Sequence, residues 1–194
     1  MIILLCGLSG AGKTTLAIKV KEWLGRAQIL TEVIDADEYR QELFPDLKYS
    51  KDDRFENIRR LGFIASKFSV LGIVPIISAI TPYEAMRQGL VNAYDDVKVV
   101  HVDCPMSVLK LRDTKGLYHR AQLPQNDPQR VCNLTGVNDP FEVPQAPDLY
   151  INTHTYGIAR CTDRLFAFIE YQHFLSRQKS IFFVKQPPVK SQLN

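Results

Sequence analysis

Short apolar runs alternate with amphipathic segments along this chain. The runs, rich in β-branched residues, lie at 2–5, 29–34, 73–78, 97–102 and 148–151. Between them are segments whose apolar residues recur at helical spacing, and the longest of these spans 54–71. Strands that alternate with helices are typical of parallel crossover connections. The pattern therefore predicts an α/β fold, in which a central parallel sheet is flanked by helices in a three-layer sandwich.

The last third of the chain departs from this alternation. Residues 124–147 contain five prolines among polar residues, which excludes a long helix there and favours a mobile lid within about 112–147. Residues 156–176 are again helical in pattern, and 181–184, the sequence IFFV, predicts a short strand. We therefore expect a single domain over 1–177 and a C-terminal tail over 178–194.

Composition and charge exclude several classes of protein. Hydrophobic residues make up 45% of the chain and charged residues 23%, with a net charge of +3. Because Lys and Arg are dispersed, there is no footprint for nucleic-acid binding. No apolar stretch approaches the ~20 residues that span a bilayer, so no membrane partner is expected. The four cysteines are widely separated, which favours reduced thiols and a cytoplasmic location over a disulfide framework or a zinc site.

A phosphate-binding motif follows the first apolar run directly. Residues 7–14 match the pattern G-x-x-x-x-G-K-[ST]; they are Gly7, Leu8, Ser9, Gly10, Ala11, Gly12, Lys13 and Thr14, and Thr15 follows. In this motif backbone N–H groups surround the phosphates, the lysine reaches the β- and γ-phosphates, and the hydroxyl can ligate Mg²⁺. The predicted strand before it and helix after it are the context that the motif requires. The sequence therefore predicts binding of ATP and Mg²⁺.

Carboxylates follow the second predicted strand, where a parallel sheet places its ligands. Asp37 and Asp35 are positioned to orient an acceptor hydroxyl, to accept its proton or to support the metal. Capping of the next helix is the structural alternative: it is less favoured for Asp37 and equally favoured for Asp35. Arg54 and Asn57, three residues apart, share one helix face and could hold an anion, although such a pair is more often simply solvated.

Two further signals are weaker. Ser50 followed by Asp53 is typical of a helix capping box, so part of the polarity before residue 54 is structural. Lys115 beside Gly116 suits a lid that brings positive charge over the transferring phosphate and excludes water.

In their order along the chain, these blocks resemble the adenylylsulfate (APS) kinase family. The stretches on which the resemblance rests are GLSGAGKTT at 7–15, IDADEYR at 34–40, YSKDDRFENIRRLG at 49–62, ISAITPYEAMR at 77–87, VDCP at 102–105, RDTKGLY at 112–118 and LTGVNDPFEVP at 134–144. They cover most of residues 1–152. The helix containing ENIRR and the RD-x-KGLY segment are far more diagnostic than the phosphate loop. The implied activity is transfer of the ATP γ-phosphate to the 3'-hydroxyl of adenosine 5'-phosphosulfate.

The resemblance also implies an acceptor site. Its residues would be Asp37, Arg40, Tyr49, Arg54, Asn57, Ile80, Thr81, Lys115 and Phe141. Arg40, Arg54 and Asn57 would bind the sulfate and phosphate end, and Tyr49 and Phe141 would flank the adenine. The assignment of Tyr49 and Phe141 to the adenine comes from the family alone.

On the ATP side, Lys13 and Thr14 would hold ATP and Mg²⁺, and Arg112 would also contact ATP. Lys115 would lie over the phosphates, while Asp37 would act on the 3'-hydroxyl. Asp37, Lys13 and Lys115 are thus the implied catalytic residues. The family is commonly dimeric, so a homodimer that binds a small nucleotide is expected.

Several departures from the family pattern leave the acceptor open. Where the family has D-G-D-N-x-R, this chain has Ala36 in place of the glycine and Glu38 in place of the amide. Where it has S-P-Y-R, this chain has Thr81 and Glu84. A kinase of the same fold that acts on another nucleotide conjugate, such as a modified cytidine diphosphate, is therefore an alternative. A nucleotide-binding module without catalysis is a second one.

Overall fold

A computed structural model describes residues 1–184, with side chains described through residue 178. Its strands are β1 (Ile2–Cys6), β2 (Thr31–Asp35), β3 (Val74–Ser78), β4 (Val97–Asp103) and β5 (Leu149–Asn152). Its helices are α1 (Lys13–Arg26), α2 (Ala36–Leu43), α3 (Lys51–Val70), α4 (Glu84–Ala93), α5 (Met106–Arg112), α6 (Leu117–Ala121) and α7 (Ile158–Val184). The predicted alternation of strands and helices is confirmed.

Within the described residues, the strands form one parallel sheet in the order β2-β3-β1-β4-β5. Strand β1 is central, and the chain crosses from β3 over β1 to reach β4. The loops after β1, β2 and β3 therefore emerge side by side at the carboxyl edge of the sheet. This edge is where ligands bind in open parallel sheets.

The core has one apolar cluster on each face of the sheet. Alternate residues of β1 point to opposite faces, because side chains alternate along a strand. Ile3 and Leu5 pack with α1 and α7, whereas Ile2 and Leu4 pack with α3 and α4. The helices thus cover both faces, and the predicted three-layer arrangement is confirmed. In the part of the chain that the structure describes, no helix is both long and apolar enough to span a membrane.

Helix α3 begins at the predicted capping box. The Ser50 Oγ accepts a hydrogen bond from the Asp53 backbone N–H at 3.1 Å, and the Asp53 carboxylate accepts one from the Ser50 N–H at 3.2 Å. Together these bonds satisfy two N–H groups that lack partners within the helix.

Residues 124–147 contain no helix, as expected from the prolines. A single bridge joins Thr135 to Asp139. That this segment moves as a lid stays a prediction.

The predicted strand at 181–184 is wrong, because α7 runs without interruption from Ile158 to Val184. The sequence IFFV has a high strand propensity, but propensity is a weak preference that an established helix can override. The remainder of the predicted tail, 185–194, lies outside the described residues.

Candidate functional site

The loop after β1 makes close approaches to the neighbouring strand that only glycine allows. Gly7 has a φ of +148°, and a Cβ atom placed there would lie 2.1 Å from the Val102 carbonyl oxygen of β4. Gly136, at a φ of +85°, brings the segment after residue 133 against the same loop, because its Cβ would lie 2.7 Å from Leu8 Cδ2. The phosphate loop is thus held between the sheet and the predicted lid.

Lys13 lies at the start of α1 and turns back into its own loop. Its Nζ donates to the carbonyl oxygens of Gly7 and Leu8, each at 2.9 Å, and the residue is 8% exposed. Burial lowers the pKa of Lys13 to about 8, although the negative charge of Asp37 acts in the opposite direction. The ammonium group is therefore placed for phosphates but is only marginally stabilised by the protein.

Hydroxyl and carboxylate oxygens meet beside the lysine. The Thr14 hydroxyl donates to Asp35 Oδ2 at 2.6 Å and lies 3.1 Å from the Ser78 Oγ. Asp35 Oδ1 also accepts from the backbone N–H groups of Asp37 and Glu38, so Asp35 caps α2. Mg²⁺ prefers such hard oxygen ligands and usually takes only one or two carboxylates, with phosphates and water completing its shell. The residues present therefore fit a magnesium ion.

Asp37 forms an ion pair with the predicted lid. Lys115 Nζ donates to Asp37 Oδ2 at 2.5 Å across 78 residues of sequence. Burial acts to lower the pKa of Lys115, but the hydrogen bond and charge of Asp37, aided by Asp35, outweigh it and leave the pKa raised. Two of the three predicted catalytic side chains, Asp37 and Lys115, are thus in direct contact.

Two cavities meet at Asp37. The smaller, of about 180 Å³, contains the phosphate loop together with Thr14, Asp35 and Lys115. The larger, of about 520 Å³, extends from α2 to residues 130–135. Residues common to both linings are Ser9, Ala36, Asp37, Ala79 and Ile80. Asp37 therefore lies at the junction between a phosphate-sized cavity and one large enough for a nucleoside.

Most predicted acceptor residues do line the larger cavity. They are Asp37, Arg40, Tyr49, Arg54, Asn57, Ile80 and Thr81. Phe141 is not brought there: its ring lies 6.0 Å, centroid to centroid, from that of His101. Leu134, which the sequence did not single out, lines the cavity instead.

Arg54 is engaged by the protein itself. It is 7% exposed, and it donates to the Tyr49 carbonyl, the Thr135 hydroxyl and the Asn133 carbonyl at 3.0, 3.0 and 2.7 Å. Asp139 lies 3.4 Å from its guanidinium. These contacts join α3 to the segment 133–139, so Arg54 is a structural element of the cavity wall.

The neighbouring Asn57 is buried, with 3% exposure, and its Oδ1 has no hydrogen-bond partner among the described residues. The Thr81 Oγ1 is also buried and also has no hydrogen-bond partner among the described residues. Buried polar atoms are normally paired, so both side chains are placed to bind a ligand in the larger cavity.

Arg120 and Arg130 are lining residues that the sequence analysis missed. They flank the proline-rich stretch, and the available signal was two arginines inside a predicted lid. Ser78 was also missed, although it ends a strand at the ligand edge of the sheet.

Two of the four departures from the family pattern lie away from the cavities. Glu38 is exposed and lines neither, and Glu84 pairs with the fully buried Arg87 at 2.6 Å. The other two line them: Ala36 lines both cavities, and Thr81 lines the larger one. The negative charge of Glu84 is therefore paired with Arg87 outside the acceptor cavity.

Two contacts connect the predicted lid to the phosphate loop. The Tyr118 hydroxyl of α6 donates to the Ser9 carbonyl at 2.8 Å. Arg112 donates to the Thr153 carbonyl at 3.4 Å, and the Thr153 hydroxyl donates to the Ala11 carbonyl at 2.9 Å. Arg112 is therefore linked to the phosphate loop through Thr153.

Comparison with known proteins points to one enzyme family. The family model described as adenylylsulphate kinase matches residues 1–152. An adenylyl-sulfate kinase of Synechococcus sp. is 40% identical over 81% of this chain and 86% of its own length. That of Chloroflexus aurantiacus is 37% identical over 88% of this chain and 89% of its own length.

Solved structures give the same result. The APS kinase CysC of Mycobacterium tuberculosis, in complex with AMPPNP and APS, superposes with a TM-score of 0.80 at 30% identity, covering 87% of this chain and 96% of that one. The shikimate kinase of Aquifex aeolicus, at 14% identity and a TM-score of 0.50, shares the fold alone. It covers 90% of this chain and 99% of its own.

Proposed function

Since this chain belongs to the adenylylsulphate kinase family, we propose a role in phosphoryl transfer for each of its main site residues. The protein is an ATP-dependent kinase that transfers the γ-phosphate to the 3'-hydroxyl of adenylyl sulfate. The observation that carries the assignment of residues is the position of Asp37 in both cavities. A donor phosphate in the smaller cavity and an acceptor hydroxyl in the larger one would meet at this carboxylate.

In this proposal Asp37 orients the 3'-hydroxyl and accepts its proton as the oxygen attacks the γ-phosphorus in line. Lys115, which donates to Asp37 in the structure, exchanges that contact for an oxygen of the γ-phosphate. The exchange frees the carboxylate at the moment when phosphate arrives, and it keeps positive charge where negative charge develops.

Lys13 makes a similar exchange. Its two carbonyl acceptors in the loop are replaced by β- and γ-phosphate oxygens, while the loop N–H groups bind the remaining phosphate oxygens. Thr14 and Asp35 would hold Mg²⁺. When bound, the ion supplies charge neutralisation on the phosphates. Arg112 and the segment around Thr153, which lie outside the phosphate loop, would form one wall of the site for the adenine of ATP.

In the larger cavity, Tyr49 supports one face of the acceptor adenine, and Asn57 and Thr81 supply its polar contacts. Arg40 lies with its guanidinium carbon 4.9 Å from the centroid of the Tyr49 ring, which holds both side chains in place. Since Glu38 and Glu84 lie outside both cavities, they give no support to a different nucleotide acceptor. We also propose that the chain forms a homodimer in the cytoplasm.

The test is steady-state release of ADP by purified protein with ATP, Mg²⁺ and adenylyl sulfate. We expect turnover in the unmodified chain and a loss of roughly 100- to 10,000-fold in kcat for Asp37→Asn, with binding of the ATP analogue AMPPNP retained. Lys13→Ala should lose both turnover and AMPPNP affinity. The matched control is Glu38→Gln, an adjacent carboxylate outside both cavities.

Unchanged turnover in Asp37→Asn would refute the role of this residue. AMPPNP binding without turnover of adenylyl sulfate in the unmodified chain would instead favour a non-catalytic module.

A further inference from the structure

The larger cavity is lined by four arginines, and they are not equally available to a ligand. Arg40 donates to the Lys48 carbonyl, and Arg120 donates through Nε to the Gln129 carbonyl at 3.0 Å. Arg54 already makes three hydrogen bonds to protein acceptors. For Arg130, the structure shows no side-chain hydrogen bond or ion pair among the described residues. Among the described residues, Arg130 is therefore the arginine of this cavity whose side-chain donors are all free. It is also one that the sequence analysis had not singled out.

Three hydrogen bonds hold Arg54 in the wall of the cavity. A guanidinium offers five N–H donors, and three of them are already used. An anion that replaced these partners would leave buried carbonyl groups unpaired, which is costly. Arg54 is therefore held in the cavity wall by three of its donors and keeps two for a ligand, whereas all five donors of Arg130 are free of protein partners among the described residues.

The position of Arg130 is fixed by hydrogen bonds on both sides. Its backbone N–H donates to the Asp127 carbonyl at 3.0 Å. Arg120 bonds to both neighbours of Arg130: it donates through its side chain to Gln129, and its carbonyl accepts from the Val131 N–H at 3.2 Å. These hydrogen bonds hold the backbone of residues 127–131 in a defined turn. The turn places Arg130, which is half-buried, at the cavity.

Charge at the cavity also favours an anion. Among its lining residues, within the part of the chain described, Asp37 is the only carboxylate, and it is paired with Lys115. Arg130 has no ion pair among the described residues, so an anion in the cavity would meet an uncompensated positive charge there.

We propose that Arg130 is a specificity-determining residue, whose free guanidinium binds the anionic phosphosulfate end of adenylyl sulfate. This inference rests on the proposed function. The planar fork of N–H donors matches two oxygens of a phosphate or sulfate group at once. Such a contact adds affinity for the acceptor and leaves the ATP side unchanged.

The test compares Arg130→Gln, Arg130→Lys and Arg26→Gln with the unmodified chain. Arg26 ends α1, is exposed and lines neither cavity, so its variant controls for the loss of one positive charge. We expect Arg130→Gln to raise KM for adenylyl sulfate by roughly 10- to 100-fold, the range for a hydrogen bond to a charged group. KM for ATP and the unfolding temperature should be unchanged, and Arg130→Lys should recover part of the loss.

Ionic strength gives a second readout that a purely structural role would not alter. KM for adenylyl sulfate should rise with salt in the unmodified chain and less steeply in Arg130→Gln, because salt screens the pair. Equal KM values in the unmodified chain and Arg130→Gln would overturn the proposal while leaving the kinase activity established. A parallel rise in both KM values would also overturn it, in favour of a role in folding. Absence of turnover in the unmodified chain would instead be a failure of the proposed function.

Discussion

At the scale of single residues, Lys13 shows how burial adjusts a group for binding. The lysine of the phosphate loop needs its charge to bind phosphates, yet burial lowers its pKa to about 8. Negative phosphates favour the charged form and should raise the pKa again when they bind. Binding of nucleotide should therefore be coupled to proton uptake at and above pH 8.

We expect the apparent affinity for AMPPNP to fall above about pH 8, by up to about tenfold per pH unit, because the uncomplexed protein then loses the proton that the complex requires. Calorimetry at pH 8 in two buffers of different ionisation enthalpy measures the protons taken up. Lys13→Arg, whose guanidinium stays charged across this pH range, should show no uptake. Equal heats in the two buffers, for the unmodified chain, would contradict a lowered pKa at Lys13.

The sequence predicted which side chains belong to the phosphate loop but could not predict this pKa, since burial exists only in the folded chain. Asp35 shows the same difference between what the sequence predicts and what only the folded chain reveals. Spacing alone left capping and chemistry equally favoured for Asp35, and the structure shows it capping α2 while it also accepts from Thr14. One carboxylate oxygen caps the helix and the other contacts Thr14. The sequence had offered capping and chemistry as alternatives, and the structure allows both together.

At the scale of elements, Arg87 joins α4 to two loops. Its guanidinium, with no exposed area, donates to the Thr81 carbonyl at 2.6 Å, to the Glu142 carbonyl at 2.7 Å and to the Glu84 carboxylate. Burial acts to raise the pKa of Glu84, but Gln88 and Arg87 outweigh it and hold the pKa below its usual value. The pair is therefore ionised, and it holds Thr81 at the wall of the acceptor cavity.

We expect Arg87→Met to destabilise the protein by about 3–5 kcal/mol, because it leaves a partly buried carboxylate and two carbonyl groups without their donor. Thermal unfolding should show a midpoint lower by about 6–20 °C for a chain of this size. In the variant that remains folded at low temperature, KM for adenylyl sulfate should rise more than KM for ATP.

Arg59→Met is the matched control. Arg59 and Glu56 have the same i, i+3 spacing and a 2.6 Å contact, but the Arg59 side chain is 69% exposed. An exposed pair contributes about 0–1 kcal/mol, so the unfolding midpoint should change little. Similar midpoints for the two variants would show that burial of Arg87 does not set its contribution.

Element identity was predictable because it follows from periodicity, which is a local property. The strands and long helices agree with their predicted ranges to within a few residues. The exception at 181–184 has a physical reason: short apolar runs fit a strand or a buried helix equally well by pattern. There the preceding helix α7 decided the outcome.

At the scale of the whole molecule, the cavity depends on contacts that no local pattern contains. Arg54 meets Thr135 across 81 residues, and Lys115 meets Asp37 across 78. Local pattern could nominate Lys13 and Asp37, because a sequence motif marks the first and the end of a predicted strand marks the second. It could not show that three protein acceptors hold Arg54, that Phe141 lies beside His101, or that Arg130 reaches the cavity.

The domain limit at residue 177, predicted from sequence, can be tested by ending the chain there. Helix α7 packs on the sheet through Cys161, Leu165 and Ile169, each fully buried, and the Ser176 hydroxyl donates to Asp96 at 2.5 Å. Since these contacts precede residue 178, we expect a chain of residues 1–177 to keep its kcat and both KM values. Its unfolding midpoint should fall by no more than about 2–4 °C, equivalent to about 1 kcal/mol.

Leu165→Ala in the full chain provides the comparison, because it removes one fully buried side chain from the same helix and should cost about 2–5 kcal/mol. One side chain at the interface between α7 and the sheet should thus matter more than every residue after 177. If the shortened chain instead unfolds at or below the midpoint of Leu165→Ala, the folded unit extends beyond residue 177. The part of α7 from 178 to 184 would then belong to the kinase domain.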